Sequence, residues 1–311
     1  MKCVLCDREA VIKITHQNRY LCEKHFTDYF EKKFFKIIKK YSFLKDENSG
    51  RLHRKILVAT SGGKDSQTVA YLLAKNHFEP DLFFVDLGIE GFSESSRSAV
   101  ERLAERFSLN LRVFVLKEEI GFSVPEMAEI TGRVPCSACG LVKRYWINRF
   151  AYENGYEVVF TGHNLDDEVS SLLGNIMNWS VKYLPRGGLR GTVDHPKLVK
   201  RAKPLALFSS EEVKLYADIR DVPYTEARCP LGRDGVRKDY VEVLNSLEER
   251  HPGVKIRFYM GYNKNIDLFQ SMQKNPLREC DRCGMPTRLE VCAYCSLMEE
   301  LRSKSIKEFR G

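Results

Sequence analysis

The apolar run Ile56-Leu57-Val58-Ala59 leads straight into Ser61-Gly62-Gly63-Lys64-Asp65-Ser66, and Thr68 to Lys75 then carries a helical pattern. A buried strand that turns through two glycines into a helix is the opening of a βαβ unit, which commits the chain to a parallel sheet. Glycines let the turn adopt strained conformations and let an anion approach backbone N–H groups at the helix N-terminus. Lys64 adds a positive charge, and the serine hydroxyls add donors. The glycine-to-lysine spacing excludes the G-x-x-x-x-G-K-[ST] loop of P-loop NTPases. A chance polar turn after a strand is the bland alternative.

The alternation continues beyond this joint. Helix 64–77, strand 81–86, a helix capped by Ser93 and reaching about Phe107, and strand 111–116 follow in order. A helix over 139–154, strand 157–161, a helix from Leu165 and helices over 211–219 and 239–249 complete the predicted set. The fold class is therefore α/β, a parallel sheet with helices on both faces. Ligands of such sheets lie beyond the carboxyl ends of the strands. The loops at 61–66, 86–91 and 161–167 should converge there.

All ten cysteines fall in clusters. No apolar stretch is long enough for a membrane span and no signal peptide is evident, so the expected setting is cytoplasmic, where disulfides are rare. Cys3-x2-Cys6 is followed by Cys22-x2-His25, and Cys280-x2-Cys283 by Cys292-x2-Cys295. Each set offers two close pairs of soft ligands, the usual way to hold tetrahedral zinc. Rubredoxin-like iron at the second site and unpaired reduced thiols are the alternatives. Such closed sites fold segments too short to build a core. Cys136, Cys139 and the distant Cys229 form an odd trio. They suit a cubane iron–sulfur cluster with one open iron. A redox dithiol with an inert third thiol, or a three-cysteine zinc site completed by water, also fits the spacing.

Gly162-His163-Asn164-Leu165-Asp166-Asp167-Glu168 follows a strand and opens a helix, so it shares the rim of the glycine loop. Acids there favour the helix dipole, and beside phosphates they can also hold Mg²⁺ or move a proton. Residues 26–44 read as an amphipathic helix, with its apolar stripe on the main domain and its lysines in solvent. The polar break at 46–50 separates it from the catalytic domain. The expected organisation is a finger at 1–27, helix and linker at 28–52, the catalytic domain at 53–273, a second finger at 274–300 and a charged tail at 301–311, with 296–309 read as a charged, exposed helix. Fifty basic against 42 acidic residues give a formal charge of +8, which fits nucleic-acid binding without establishing it. Between Lys182 and Lys203 seven basic residues face one acid. A loop of that charge either grips RNA phosphates or is an ordinary surface loop.

In order, Ser61–Ser66, Cys136-x2-Cys139-Gly140 with Lys143-Arg144, Gly162–Glu168 and Cys229-Pro230, enclosed by two fingers, resemble the tRNA 2-thiouridine synthetases of the TtuA type. These belong to the ATP-pyrophosphatase (PP-loop) superfamily, with a HUP-like, Rossmann-related sheet. The resemblance spans nearly the whole chain. It implies an ATP-dependent tRNA-uridine 2-sulfurtransferase that adenylates the C2 oxygen and then replaces it with sulfur. Ser61, Gly62, Gly63, Lys64, Asp65, Ser66 and Gly162 would bind ATP with Mg²⁺. Cys136, Cys139 and Cys229 would ligate a 4Fe–4S cluster, and Lys143, Asp166 and Asp167 would act at the reacting centre. Cys3, Cys6, Cys22 and His25 would hold one Zn²⁺, and Cys280, Cys283, Cys292 and Cys295 a second. The implied partners are tRNA and a sulfur donor, either a ubiquitin-like thiocarboxylate carrier or inorganic sulfide. A homodimer is expected from the frequency of symmetric dimers, and no membrane is. Three rival readings are a TtcA-like tRNA 2-thiocytidine synthetase, an amide- or lysidine-forming PP-loop enzyme, and a non-catalytic zinc-scaffolded RNA-binding protein.

Overall fold

The computed structural model describes residues 1–45, 49–53, 55–189, 195–232, 236–270 and 276–308. The hairpin β1 (Ile12–Ile14) and β2 (Arg19–Leu21) precedes α1 (Glu23–Lys40). The sheet-forming region then runs β3 (Ile56–Thr60), α2 (Lys64–Lys75), β4 (Asp81–Asp86), α3 (Phe92–Phe107) and β5 (Leu111–Val115). It continues through α4 (Leu116–Ile120), α5 (Val124–Thr131), α6 (Pro135–Glu153), β6 (Val158–Thr161) and α7 (Leu165–Met177) to β7 (Lys200–Ala202) and α8 (Ser210–Ile219). Helices α9 (Val236–Arg250), α10 (Val254–Lys264) and α11 (Ile266–Gln270), a short hairpin β8 (Arg278–Glu279) and β9 (Pro286–Thr287), and α12 (Ala293–Glu308) close the chain.

Five parallel strands form one sheet in the order β5-β4-β3-β6-β7. Because strand side chains alternate, the sheet builds two cores. Val58, Leu82, Phe84, Val158 and Phe160 face α1, α2, α3 and α8. Leu57, Phe83, Val85, Phe114 and Val159 face α5, α6 and α12. Helix α1 packs on the domain as its stripe predicts. Phe30 stacks on Tyr216 of α8 at 4.2 Å and lies 4.3 Å from Phe208. Burying one such ring stabilises the contact by about 1.5–3 kcal/mol.

Four expectations need correction. Helix α3 is preceded by Gly91, with φ 69°, and has no side-chain cap. Ser93 lies inside the helix and accepts the Ile89 N–H at 3.0 Å. Helix α6 begins at Pro135, four residues earlier than periodicity suggested, because proline is already set for the first helical position. Strand β7 lies inside the basic stretch that had been read as loop; its pairing with β6 supplies hydrogen bonds that local sequence does not announce. Finally, the helix expected over 296–309 forms as α12, but it is not exposed throughout. Leu297, Met298 and Leu301 are buried in the second core, and Tyr145 of α6 stacks on Tyr294 at 3.7 Å. Part of the 46–50 break, the centre of the basic stretch at 190–194, the expected boundary at 273 and the end of the tail fall outside the described residues.

Candidate active site and metal centres

The carboxyl ends of β3, β4 and β6 lie on one edge because the strands are parallel. The loop after β3 reverses at Gly62, whose φ of +77° suits glycine; a Cβ there would stand 2.4 Å from the Ser96 carbonyl oxygen. Gly63 precedes α2 without a side-chain cap, which leaves N–H groups at the helix start open to an anion. Ser66 folds back beneath the turn, its Oγ accepting the Ser61 N–H at 3.0 Å. Below that, Thr60 donates to Gln67 at 2.8 Å, and the Gln67 amide donates to the Ala99 and Pro223 carbonyls. Lys64 pairs with Asp65 at 2.8 Å.

The loop after β6 sits directly against this turn. A Cβ on Gly162 would lie 2.3 Å from the Ser66 amide nitrogen. Asn164 caps α7 through a reciprocal box with Asp167, and its Nδ2 donates to Asp65 at 3.0 Å. The two acids after it face different ways. Asp166 pairs with the Lys255 ammonium and accepts the Ser210 N–H at 2.7 Å, fastening α7 to α8 and α10. Asp167 turns toward the Asp65 side and pairs with Arg237 at 2.7 Å. Protein packed around Asp167 pushes its pKa above the usual carboxylate range, against the pull of Arg237. His163 reaches the surface of this concavity, bonded to the Thr161 hydroxyl at 3.0 Å. Neighbouring protein and the Lys203 charge push its pKa down, an effect that solvent limits because the residue is exposed.

The cysteine trio joins the same site by hydrogen bonds. The Thr225 N–H donates to the Gly62 carbonyl at 2.9 Å, and its hydroxyl meets Ser95 at 2.6 Å. That fastens the strand-like segment leading to Cys229 onto the glycine turn. Cys136 and Cys139 occupy the first turns of α6, and Lys143 follows one turn later on the same face. The Cys136 sulfur lies 3.9 Å from the Leu231 carbonyl, so the Cys229 loop abuts the start of α6. Three thiols are the donor set of a cubane cluster with one open iron, and a helix N-terminus favours the negative charge of Cys136 and Cys139. The donor set fits an iron–sulfur cluster.

The two terminal clusters are compact. Within each of Cys3, Cys6, Cys22, His25 and Cys280, Cys283, Cys292, Cys295, all ligand atoms lie within 4.8 Å of one another. His25 Nδ1 stands 3.3, 3.5 and 3.4 Å from the three sulfurs. Backbone N–H groups of Leu5, Arg282 and Cys292 point at the Cys3 and Cys280 sulfurs, as thiolate ligands require. Both sets fit a tetrahedral metal ion.

The profile of the PP-loop domain matches residues 27–233, and that of the 2-thiouridine synthetase TtuA N-terminal LIM domain matches residues 2–27. The tRNA-5-methyluridine(54) 2-sulfurtransferase of Pyrococcus horikoshii is 42% identical over 297 residues, 95% of this chain and 93% of its own. The chain belongs to the TtuA-type tRNA 2-thiouridine synthetases. Another member with the same name, from Thermus thermophilus, is 37% identical over 99% of this chain and 94% of its own. Among solved structures, the U34-tRNA thiolase NcsA of Methanococcus maripaludis, with its [4Fe-4S] cluster, superposes with a TM-score of 0.81. It is 28% identical and covers 97% of this chain and 96% of its own. No helix among the described residues is long and apolar enough to cross a membrane.

Sequence reasoning left several residues of this TtuA-type site unassigned. Asn164 stood in the loop motif without a role of its own; the structure makes it the cap of α7 and the partner of Asp65. Arg237 had no local signal, since its acid lies 70 residues away. The buried trio of Lys203, Glu168 and Tyr259, joined at 2.9 and 3.0 Å, was likewise invisible.

Proposed function

We propose that this protein is an ATP-dependent tRNA-uridine 2-sulfurtransferase acting on the uridine at position 54, in the cytoplasm. One observation carries the chemistry: the glycine turn, the Asn164–Asp167 loop and the Cys229 segment are hydrogen-bonded into a single site. The choice of position 54 is supported by relatives of that name at 37–42% identity, against 28% for the U34 enzyme.

In this reading the N–H groups of Gly63 to Ser66, with Lys64, receive the phosphates of ATP. Asp65 and Asp167, on facing loops, would hold Mg²⁺ against those phosphates. The uridine C2 oxygen attacks the α-phosphate and pyrophosphate leaves; the C2–O bond then breaks as sulfur bonds to C2, releasing AMP. A 4Fe–4S cluster on Cys136, Cys139 and Cys229 would supply the sulfur nucleophile at its open iron, fed by sulfide or a thiocarboxylate carrier. Lys143, on the cysteine face of α6, balances negative charge developing between ATP and the base. Asp167 rather than Asp166 orients the uridine or metal, because Asp167 lies toward Asp65 and the glycine turn whereas Asp166 is drawn to Lys255 and Ser210 on the far side. His163, exposed at the rim and bonded to Thr161, is placed to hydrogen-bond the substrate. Zinc in the two terminal sites holds the hairpin segments against α1 and α12. A homodimer is part of the proposal, and light scattering tests it.

The decisive experiment is a single turnover with anaerobically purified protein, unmodified tRNA, Mg-ATP and sulfide, read by mass spectrometry of nuclease digests. The expected product is 2-thiouridine at position 54, formed by protein carrying iron and zinc. Thiolation at position 34 would replace the assigned position. ATP consumption with no thiolated base would replace the enzyme class.

A further inference from the structure

Helix α7 starts at the candidate active site and ends at Met177, on the order of 20 Å away at 1.5 Å per residue. The chain then turns through Trp179, whose side chain is 82% exposed, far more than such a ring usually is. Its φ of +48° lies in the left-handed region, where a bulky L-residue is an outlier and glycine is the ordinary choice. The turn around it is tightly fastened. Trp179 N–H donates to Ile176 O at 3.0 Å, Ser180 N–H to Asn175 O at 2.8 Å, and Val181 N–H to Trp179 O at 2.9 Å. The Asn178 amide adds a bond to Gly174 O at 2.8 Å. The fold thus holds a tryptophan outward, from a backbone position that disfavours it, where it shields no core.

The surroundings say what it meets. Met177 is 64% and Tyr183 44% exposed beside it, and the Lys182 ammonium lies 5.1 Å from the Tyr183 ring centroid. From Val169 to Leu189 the sequence contains Lys182 and Arg186 but no acidic residue. Helix α9 reaches this turn through the Tyr240 hydroxyl, 3.4 Å from the Asn178 amide, and brings Arg237, Lys238, Asp239 and Glu242. What distinguishes the turn is an aromatic side chain held outward beside a lysine, which in a family acting on tRNA matches the bases and phosphates of RNA. This segment is also tied to the reaction site. Gly187 O accepts from Tyr259 at 3.1 Å, and the same hydroxyl bonds Glu168 at 3.0 Å, next to Asp167. We infer that Trp179 is a stacking platform for an unpaired base of the tRNA, several nucleotides from the target uridine, with Lys182 on the adjoining phosphates. This rests on the tRNA-thiolase reading above.

The test uses the full-length metal-loaded protein and fluorescently labelled unmodified tRNA in an anisotropy titration, with Trp179→Gly, Trp179→Phe and Lys182→Ala. Loss of a stacked base corresponds to roughly a 5- to 140-fold rise in Kd for Trp179→Gly. Trp179→Phe should recover most of the affinity. The thermal midpoint of Trp179→Gly should equal or exceed that of the parent, because glycine relieves the left-handed turn. A merely structural tryptophan would move both readouts the same way. Lys182→Ala should lower the slope of log Kd against log salt by about one, and Trp179→Gly should leave it unchanged. Unchanged tRNA affinity in Trp179→Gly overturns the proposal while leaving the thiolase reading intact; so does unchanged affinity accompanied by dissociation of a dimer, which assigns the ring to a protein contact. Absence of tRNA binding by the parent protein overturns both.

Discussion

Adding one methyl group at Gly162 tests whether the two loops act as one site. The new Cβ would lie 2.3 Å from the Ser66 nitrogen and 2.7 Å from both the Asp65 carbonyl carbon and the Ser66 Cα. All three are backbone atoms, so no rotamer relieves the overlap. Ordinary contact begins near 3.4 Å, so the first turn of α2 must move by about 1 Å relative to β6. Overpacking of this kind costs about 1–3 kcal/mol. With unfolding entropy near 2.1 cal/mol/K per residue, a chain of 311 residues should lose only about 2–5 °C in Tm. Catalysis should suffer far more, because a displacement of about 1 Å in a positioned site costs on the order of 100-fold. Gly162→Ala should therefore stay folded at 25 °C and thiolate tRNA about 100-fold more slowly in single turnover. Gly63→Ala is the control: its Cβ would meet only the Ser61 hydroxyl, at 3.6 Å, with no positive φ. Its Tm should match that of the parent protein. A Gly162→Ala protein with activity within threefold of the parent would refute the reasoning.

Asp167→Asn should abolish thiolation yet match or raise Tm at pH 7. The folded-state pKa of Asp167 is raised by burial, so its ionised form costs stability as pH rises above the unfolded value near 3.9; the difference from the parent should vanish below about pH 4, as thermal melts across pH would show. His163 has the opposite sign. Its pKa is pushed down, so its contribution to stability is complete above about pH 6.5 and declines as pH falls below that value. His163→Gln should therefore gain in relative stability only below pH 6.5, and it should leave the shape of the pH–rate profile between 6.5 and 8 unchanged. Cys229→Ala should remove the cluster's visible absorbance and all thiolation while metal analysis still finds both zinc ions; thiolation surviving that change would sink the proposed role of Cys229.

The parallel sheet, its exposed carboxyl edge and the loops that meet there were legible in the chain, because buried strands and amphipathic helices write their period directly into residue order. The two fingers were equally legible, since a zinc knuckle is built from ligands a few residues apart. The grouping of Cys229 with Cys136 and Cys139 on an iron–sulfur cluster was one of three readings left open by spacing and was favoured by resemblance to a family; in the fold the Cys229 loop reaches Cys136 through Leu231. The physical cause of that approach, the Thr225 bond to Gly62, links residues 163 positions apart in sequence. Helix α12 was misread as solvent-exposed because its charged residues outnumber its buried ones; only the packing of Leu297, Leu301 and Tyr294 against α6 reveals the covered face. Asp166 and Asp167 are adjacent and chemically alike, so nothing local distinguishes them. A helix turns about 100° per residue, and that rotation sends Asp166 to Lys255 and Asp167 toward Asp65. By itself, the sequence determined the fold class, the glycine turn and the two compact Cys/His groups, because each is set by neighbours within one turn or loop. The tertiary structure alone decided which acid faces the site, where Arg237 lands and why Trp179 stands outward, because those depend on side chains that only the folded chain brings together.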